Sequence, residues 1–369
     1  MASIINYRFH VFRVLMIYIS FFFCSVYPFL HYKAFECIND IVNLNYFVAI
    51  FTLLSINPLE IGKFKTILLL ILPICLIFRN WLMLWTVIAT AYQLIELKIP
   101  IRNLAITAFL ITLFQLLFQI ELILLGITSH TPTIVEKTHS VIYDLGLGNS
   151  NNVGTTIFYL ISLLYLICFK HHRTLFVISS ITIDLLMYYY CGSRTFFLSS
   201  LILIFFGLIY FNGLLKRYYR FYIALLPTVF VSLIVYIAIQ YEYLDVEFIN
   251  EIVSGRLYLF YLFFRDFTII DFLLGKPLEL DVPLDNAYLA MLHLGGIITL
   301  SFFCICCYKA IMSSFNEIKA YIPFIIGMLF AAMAESTFGA PSGAGIILWM
   351  IILTAIIPQK YTFQTLNES

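Results

Sequence analysis

Phe221-Tyr222-Ile223-Ala224-Leu225-Leu226-Pro227-Thr228-Val229-Phe230-Val231-Ser232-Leu233-Ile234-Val235-Tyr236-Ile237-Ala238-Ile239-Gln240 contains twenty residues and no charge. About 20 consecutive apolar residues make a helix long enough to cross the hydrocarbon core of a bilayer. The stretch is flanked by Lys216, Arg217 and Arg220 on one side and by Glu242 and Asp245 on the other. It therefore reads as a membrane span rather than a buried helix of a soluble domain. Comparable runs fill the rest of the chain, at about 14–30, 41–56, 64–78, 81–97, 104–127, 153–169, 174–190, 195–211, 286–307, 321–338 and 344–357. The expected fold is all-α, a polytopic integral membrane protein of about twelve transmembrane helices forming one domain over 1–369. Arg79-Asn80 is a tight hinge between two of the runs.

Composition agrees. Of 369 residues 62% are hydrophobic and 11% charged, against about 25% charged in an ordinary soluble domain. A net charge of +1 gives no sign of nucleic-acid binding. Of the eight cysteines, six fall in or at the ends of apolar runs. Cys304 and Cys307 spell CxxC, but with no second Cys or His pair they read as small buried hydrophobes. The first apolar run has no small-residue cleavage site and reads as a retained span. No internal repeat is visible.

Charge asymmetry orients the spans. With the N-terminus inside, fourteen of the 21 Lys and Arg fall on inner segments, among them Arg8, Arg13, Lys63, Lys65, Arg173 and Arg217. Lys33, Arg79, Lys137, Arg194, Arg256, Arg265 and Lys276 fall outside. The positive-inside rule then sets both termini in the cytoplasm. All inner loops are short, while two outer loops, about 128–152 and 241–285, are long, so the chemistry is expected on the outer face. Within the second loop Leu257–Leu274 is aromatic and apolar but interrupted by Arg265, Asp266 and Asp271. That pattern suits an interfacial or re-entrant amphipathic helix.

The outer face gathers the candidate site residues. Arg194, in Gly192-Ser193-Arg194, and Arg256, in Ser254-Gly255-Arg256, sit at the mouths of spans, where a charge is a functional candidate. Guanidinium forks match phosphate oxygens two at a time, so the pair suits a pyrophosphate. Arg265, nine residues beyond Arg256, falls on the opposite face of an unbroken helix. Asn151 and Asn152 follow Gly146-Leu147-Gly148-Asn149-Ser150 at the start of a span, where Asn either caps the helix or meets sugar hydroxyls. Asp285, before Asn286-Ala287-Tyr288-Leu289, is either a general base or a helix cap. His293 reads as packing, and Glu335 precedes an outer turn. Asp184 and Glu121 lie within spans and must pair or face a polar cavity. Walker, GxGxxG, HExxH and DxD-type motifs are absent.

Gly-Ser-Arg between two spans, a long outer loop with Ser-Gly-Arg, then Asp-Asn-x-Tyr-Leu running to Gly295-Gly296, resembles the O-antigen polymerase and ligase superfamily. The Gly146–Asn151 stretch is similar to a Gly- and Asn-containing loop in that family. The resemblance covers roughly 143–300 in motif and most of the chain in topology. It implies a metal-independent integral-membrane glycosyltransferase of the bacterial inner membrane, without cofactor. Its substrates would be undecaprenyl-pyrophosphate-linked oligosaccharides on the periplasmic side, with a chain-length regulator protein as candidate partner. Arg194 and Arg256 match family arginines thought to bind the pyrophosphate, and Asp285 would activate the acceptor hydroxyl. Asn151, Asn152 and Tyr288 would contact or position sugars, with Arg265 and Glu335 as further substrate-binding candidates. Ligases of the family place a His where this chain has Asp285, so the resemblance points to a polymerase. The rivals are an O-antigen ligase acting on lipid A core and a lipid-linked oligosaccharide flippase. A flippase should show two similar halves and a charged central cavity, neither of which is legible.

Overall fold

The structure is a computed structural model. It describes residues 2–30, 44–58, 62–77, 79–128, 132–135, 140–143, 145, 150–168, 171–241, 243, 250, 256–265, 267–276, 286–333, 341–354 and 357. Its helices, in chain order, are α1 (Ala2–Leu30), α2 (Leu44–Leu54), α3 (Lys63–Ile77), α4 (Arg79–Glu96) and α5 (Ile101–Leu124). Next come α6 (Ser150–Cys168), α7 (Arg173–Cys191), α8 (Arg194–Phe211) and α9 (Arg220–Gln240). The last are α10 (Arg256–Arg265), α11 (Ile269–Leu274), α12 (Ala287–Ile318), α13 (Ile322–Ala331) and α14 (Gly343–Thr354). Every apolar run expected to span falls on one of these helices. Among the described residues seven helical segments are long and apolar enough to cross a membrane, against about twelve expected, and one of them is the stretch Ala287–Ala331, which leaves helical geometry at Gly296 and Ser314. The strands among the described residues lie in the first long loop. There β1 (Pro132–Val135) pairs antiparallel with β2 (Ser140–Tyr143), Pro132 facing Tyr143 and Val135 facing Ser140.

The packing is that of a protein with an apolar solvent. α14 is buried along its whole length, Gly343 to Thr354, and packs against α4, α5 and α12. α13 is buried almost as completely and lies along α8, where a Cβ on Gly327 would sit 3.0 Å from that of Leu203. The peripheral helices turn large apolar residues outward, including Phe114 at 67%, Leu175 at 64% and Phe205 at 58% exposed. In water such faces would aggregate; in hydrocarbon they cost nothing.

Inside the bundle, charge is held in a clamp. Glu96 Oε1 accepts from Arg13 Nη2 at 2.7 Å and from Lys65 Nζ at 2.8 Å, and Arg13 Nε also donates to the Ser55 carbonyl at 2.6 Å. This ties α1, α3 and α4 and the end of α2 together. Removing one partner from such a buried ionic group costs about 3–5 kcal/mol. Nearer the middle, Ser20, Thr52 and Thr90 form a closed triangle of hydroxyl hydrogen bonds at 2.8–3.0 Å. The mid-span Asp184 is buried beside Ser200 across the α7–α8 interface. Glu121 departs from expectation: it is exposed, close to the end of α5.

Candidate functional site

The α7–α8 turn is two residues long. Gly192 takes a left-handed conformation (φ 64°, ψ 13°) that lets the chain leave α7, and its N–H donates to the Tyr188 carbonyl at 2.9 Å. Glycine reaches that conformation without the Cβ clash any other residue would meet. Ser193 is extended, and α8 starts at Arg194. Tyr188 and Phe197 rings, 4.7 Å apart, close the hairpin.

This turn is seated on the first turns of α6. A Cβ on Gly154 would stand 2.7 Å from Ser193 Cβ and 2.8 Å from the Phe196 ring, so only glycine admits the contact. One turn further Phe158 meets Phe196, ring centroids 5.9 Å apart, and deeper still Tyr165 lies 3.4 Å from the position a Gly207 Cβ would take. α6 and α8 therefore run parallel, and Asn151 and Asn152 come to the same end of the bundle as Arg194. The Asn151 and Asn152 carbonyls accept from Thr155 Oγ1 at 3.0 Å and Thr156 Oγ1 at 2.8 Å.

Arg256 arrives from the second long loop as the first residue of α10. Its Nη1 donates to Thr195 Oγ1 at 3.4 Å, so Arg256 reaches the residue next to Arg194 although the two arginines are 62 positions apart in sequence. α10 buries Leu257, Phe260 and Phe263, a stripe that includes the Arg256 side. Arg265 is exposed at the far end and far face, as the helical arithmetic requires, and does not join the cluster. Asn250 braces the start of α10: its Oδ1 accepts from the Tyr258 N–H at 3.1 Å and its Nδ2 donates to Tyr241 Oη at 3.2 Å. The amphipathic segment is two helices rather than one. Thr268 and Asp271 form a reciprocal capping box that opens α11. The hydroxyl and backbone N–H of Thr268 hold the Asp271 carboxyl below the usual carboxylate range.

The N-cap of α12 is Asn286. Asn286 Oδ1 accepts from the N–H groups of Tyr288 at 2.9 Å and Leu289 at 3.0 Å, and its Nδ2 donates to the Met333 carbonyl at 2.7 Å. Asp285 and Glu335 lie outside the described residues, as do Ser254, Gly255 and 146–149. Tyr288 is corrected. It is 1% exposed, and its hydroxyl donates to the Leu329 carbonyl at 2.9 Å, fastening α12 to α13 instead of meeting a sugar. His293 is buried against Phe263 and Phe267 at centroid distances of 5.7 and 6.5 Å; neither ring nitrogen has a hydrogen-bond partner among the described residues.

The arrangement sets the Arg256 guanidinium against the first turn of α8, the turn that Arg194 opens. Ser193, Thr195 and Gly154 build the junction; the sequence shows Ser193 and Thr195 beside Arg194, but not the contact of Ser193 with Gly154. Among the described residues no group of three or more His, Cys, Asp or Glu is placed to hold a metal ion. No family model matches the chain, and neither does a curated protein or a solved structure.

Proposed function

We propose that this protein polymerises undecaprenyl-pyrophosphate-linked oligosaccharide repeat units of O-antigen or a similar surface polysaccharide. The reading takes twelve crossings, both termini in the cytoplasm and the Arg194 end of the bundle at the periplasmic face of the bacterial inner membrane. In the reaction the bond between the sugar anomeric carbon and the pyrophosphate oxygen breaks, and the pyrophosphate leaves with the electron pair. The acceptor hydroxyl of a second lipid-linked unit forms the new glycosidic bond, and its proton passes to Asp285. Arg194 and Arg256 hold the leaving pyrophosphate and offset the charge that develops on it. The sugar–pyrophosphate bond is already activated, so no other energy source enters.

The observation that carries this reading is the Arg256–Thr195 hydrogen bond. It supports a single anion-binding locus made from two motifs that the resemblance treats as one functional set. Asn286 supplies the N-cap bonds of α12, and Asp285 stands directly before it in the sequence. The experiment is deletion in the native host with surface glycans resolved by length. Loss of the polymerase leaves lipopolysaccharide carrying one repeat unit on its core, because ligation continues. Loss of every repeat unit would instead identify a ligase or a flippase, and unchanged glycan length would end the reading.

A further inference from the structure

Ser162 on α6, Ser180 on α7 and Ser200 on α8 are mid-helix serines, each 0% exposed. Each lies four positions after a phenylalanine: Phe158, Phe176 and Phe196. A serine within a helix commonly donates to the carbonyl four residues back, and Ser25, Ser179, Ser199 and Ser313 do so in this chain. The hydroxyls of Ser162, Ser180 and Ser200 have no hydrogen-bond partner among the described residues. Neither does Oδ2 of Asp184, a residue 4% exposed.

Contacts between the helices bring these oxygens to one level. Phe158 and Phe196 meet on the parallel helices α6 and α8, so Ser162 and Ser200, one turn beyond them on the same faces, stand side by side. Tyr165 meets Phe176 across the antiparallel α6 and α7, ring centroids 5.4 Å apart. Ser162 and Ser180, each one turn from that contact toward the Arg194 end, therefore share a level as well. The Asp184 carboxyl stands beside the Ser200 hydroxyl, yet its Oδ2 and that Oγ complete no hydrogen bond. The buried residues of α7 are Phe176, Ser180, Asp184 and Cys191, so the face it turns to its neighbours is mostly polar.

No cation on the packed elements answers this carboxylate. α7 packs against α6, α8 and β2, and α6 and β2 carry no charged residue. Arg194 opens α8, about 9 Å along the helix from Ser200. Arg173, on α7 itself, lies about 16 Å along the helix from Asp184 and donates to the Phe211 carbonyl at 3.1 Å. A lone carboxylate at membrane depth is costly. A proton would neutralise it but engage one neighbour, leaving the other hydroxyls unpaired. Carboxylate and hydroxyl oxygens are ligands for hard cations, and one carboxylate balances one positive charge. We propose that Ser162, Ser180, Asp184 and Ser200 bind a monovalent cation of sodium size in the seam of α6, α7 and α8. Bound there, the cation ties α7 and α8 to α6 beneath the turn that Arg194 opens. The site uses none of the residues assigned to substrate above and does not rest on that reading.

The test uses the purified full chain in detergent. Retention of radioactive sodium is measured by scintillation proximity, and melting temperature is compared in sodium chloride and choline chloride at equal ionic strength. The parent chain should retain sodium and melt higher in sodium chloride, because a ligand of the folded state stabilises it. Asp184→Asn, nearly the same shape without the charge, should retain none and melt alike in both salts. Ser162→Ala, Ser180→Ala and Ser200→Ala should each bind about tenfold more weakly. Ser179→Ala is the control, since that hydroxyl already donates to the Leu175 carbonyl at 2.7 Å, and it should bind as the parent does. No retention by the parent chain overturns the site, and so does equal affinity in Ser179→Ala and the other three serine variants. Should Asp184→Asn fail to fold, the serine series decides alone. A parent chain stabilised by acid and indifferent to sodium would show that Asp184 holds a proton, which also overturns the cation site.

Discussion

Arg256 is brought to the turn that Arg194 opens by a side-chain hydrogen bond, while Arg265 is carried away by half a helical revolution. Lysine keeps the charge of each but not the flat fork that engages two phosphate oxygens. Arg194→Lys and Arg256→Lys should each lower polymerisation tenfold to a hundredfold, the loss of about 1.5–3 kcal/mol for one charge-assisted contact. Arg265→Lys should stay near the parent activity. Glycan length in complemented deletion cells, read beside protein abundance in the membrane, separates these outcomes, and full activity in both of the first two variants would remove their pyrophosphate role. Asp285→Asn is sharper still. Because Asn286 supplies the cap bonds, the substitution leaves the helix start intact and removes only the negative charge a general base needs. It should give normal abundance and no polymer; parent-length glycan would move acceptor activation to another group. At this scale the sequence exposed the charged residues, because a charge in an apolar chain is conspicuous. It misjudged Tyr288, since burial behind Leu329 depends on a helix 41 positions away. It gave no separate role to Ser193 or Gly154, whose importance comes from a contact between them that no spacing rule encodes.

Among the elements, the α10–α11 pair is held by its C-terminal end to α12. Lys276 N–H donates to the His293 carbonyl at 2.8 Å, and Trp81 Nε1 donates to the Leu274 carbonyl at 3.0 Å. Gly296 interrupts α12 with φ 65° and ψ −171°, and a Cβ there would lie 2.6 Å from Leu274 N and closer still to the Leu273 carbonyl. A left-handed backbone costs an ordinary L-residue about 1–2 kcal/mol, and this position adds a collision with backbone that cannot swing aside. Gly296→Ala should therefore lower the melting temperature and release the α10–α11 pair, read as faster proteolysis or hydrogen exchange within 256–276. Gly207→Ala is the control, because its added Cβ meets ring carbons of Tyr165 at 3.4 Å and Phe211 at 3.9 Å and no backbone. Equal protection of 256–276 in the two variants would show that Gly296 does not hold the pair. The helices themselves were legible as apolar runs bounded by charge, since lipid leaves little other choice. The break at Gly296 within α12 was hidden inside an unbroken apolar run, and the β1–β2 ribbon lay in a loop with no strong alternation. The split of the amphipathic segment was written in Thr268 and Asp271, a cap pair passed over as mid-run charge.

For the whole molecule, the chemistry proposed requires the Arg194 end to face the periplasm. Asn151, Asn152, Arg194 and Arg256 share one end of the bundle, and the proposal turns that end outward on the fourteen Lys and Arg assigned to inner segments. Single cysteines at exposed positions decide it, in a chain whose native cysteines are replaced. Tyr243 and Ile269, each 82% exposed, belong to the Arg194 end, and His172 and Arg217, also exposed, to the opposite one. A membrane-impermeant maleimide applied to cells with a permeabilised outer membrane should label Tyr243→Cys and Ile269→Cys at once, and His172→Cys and Arg217→Cys only after lysis. The reverse pattern would put the two arginines in the cytoplasm. Pyrophosphate recognition by the two arginines could survive that inversion, because it depends only on local donors, but polymerisation at the periplasmic face could not. The labelling thus tests the compartment independently of the chemistry: it fails if the charge asymmetry misleads, while the arginine variants fail if the site does.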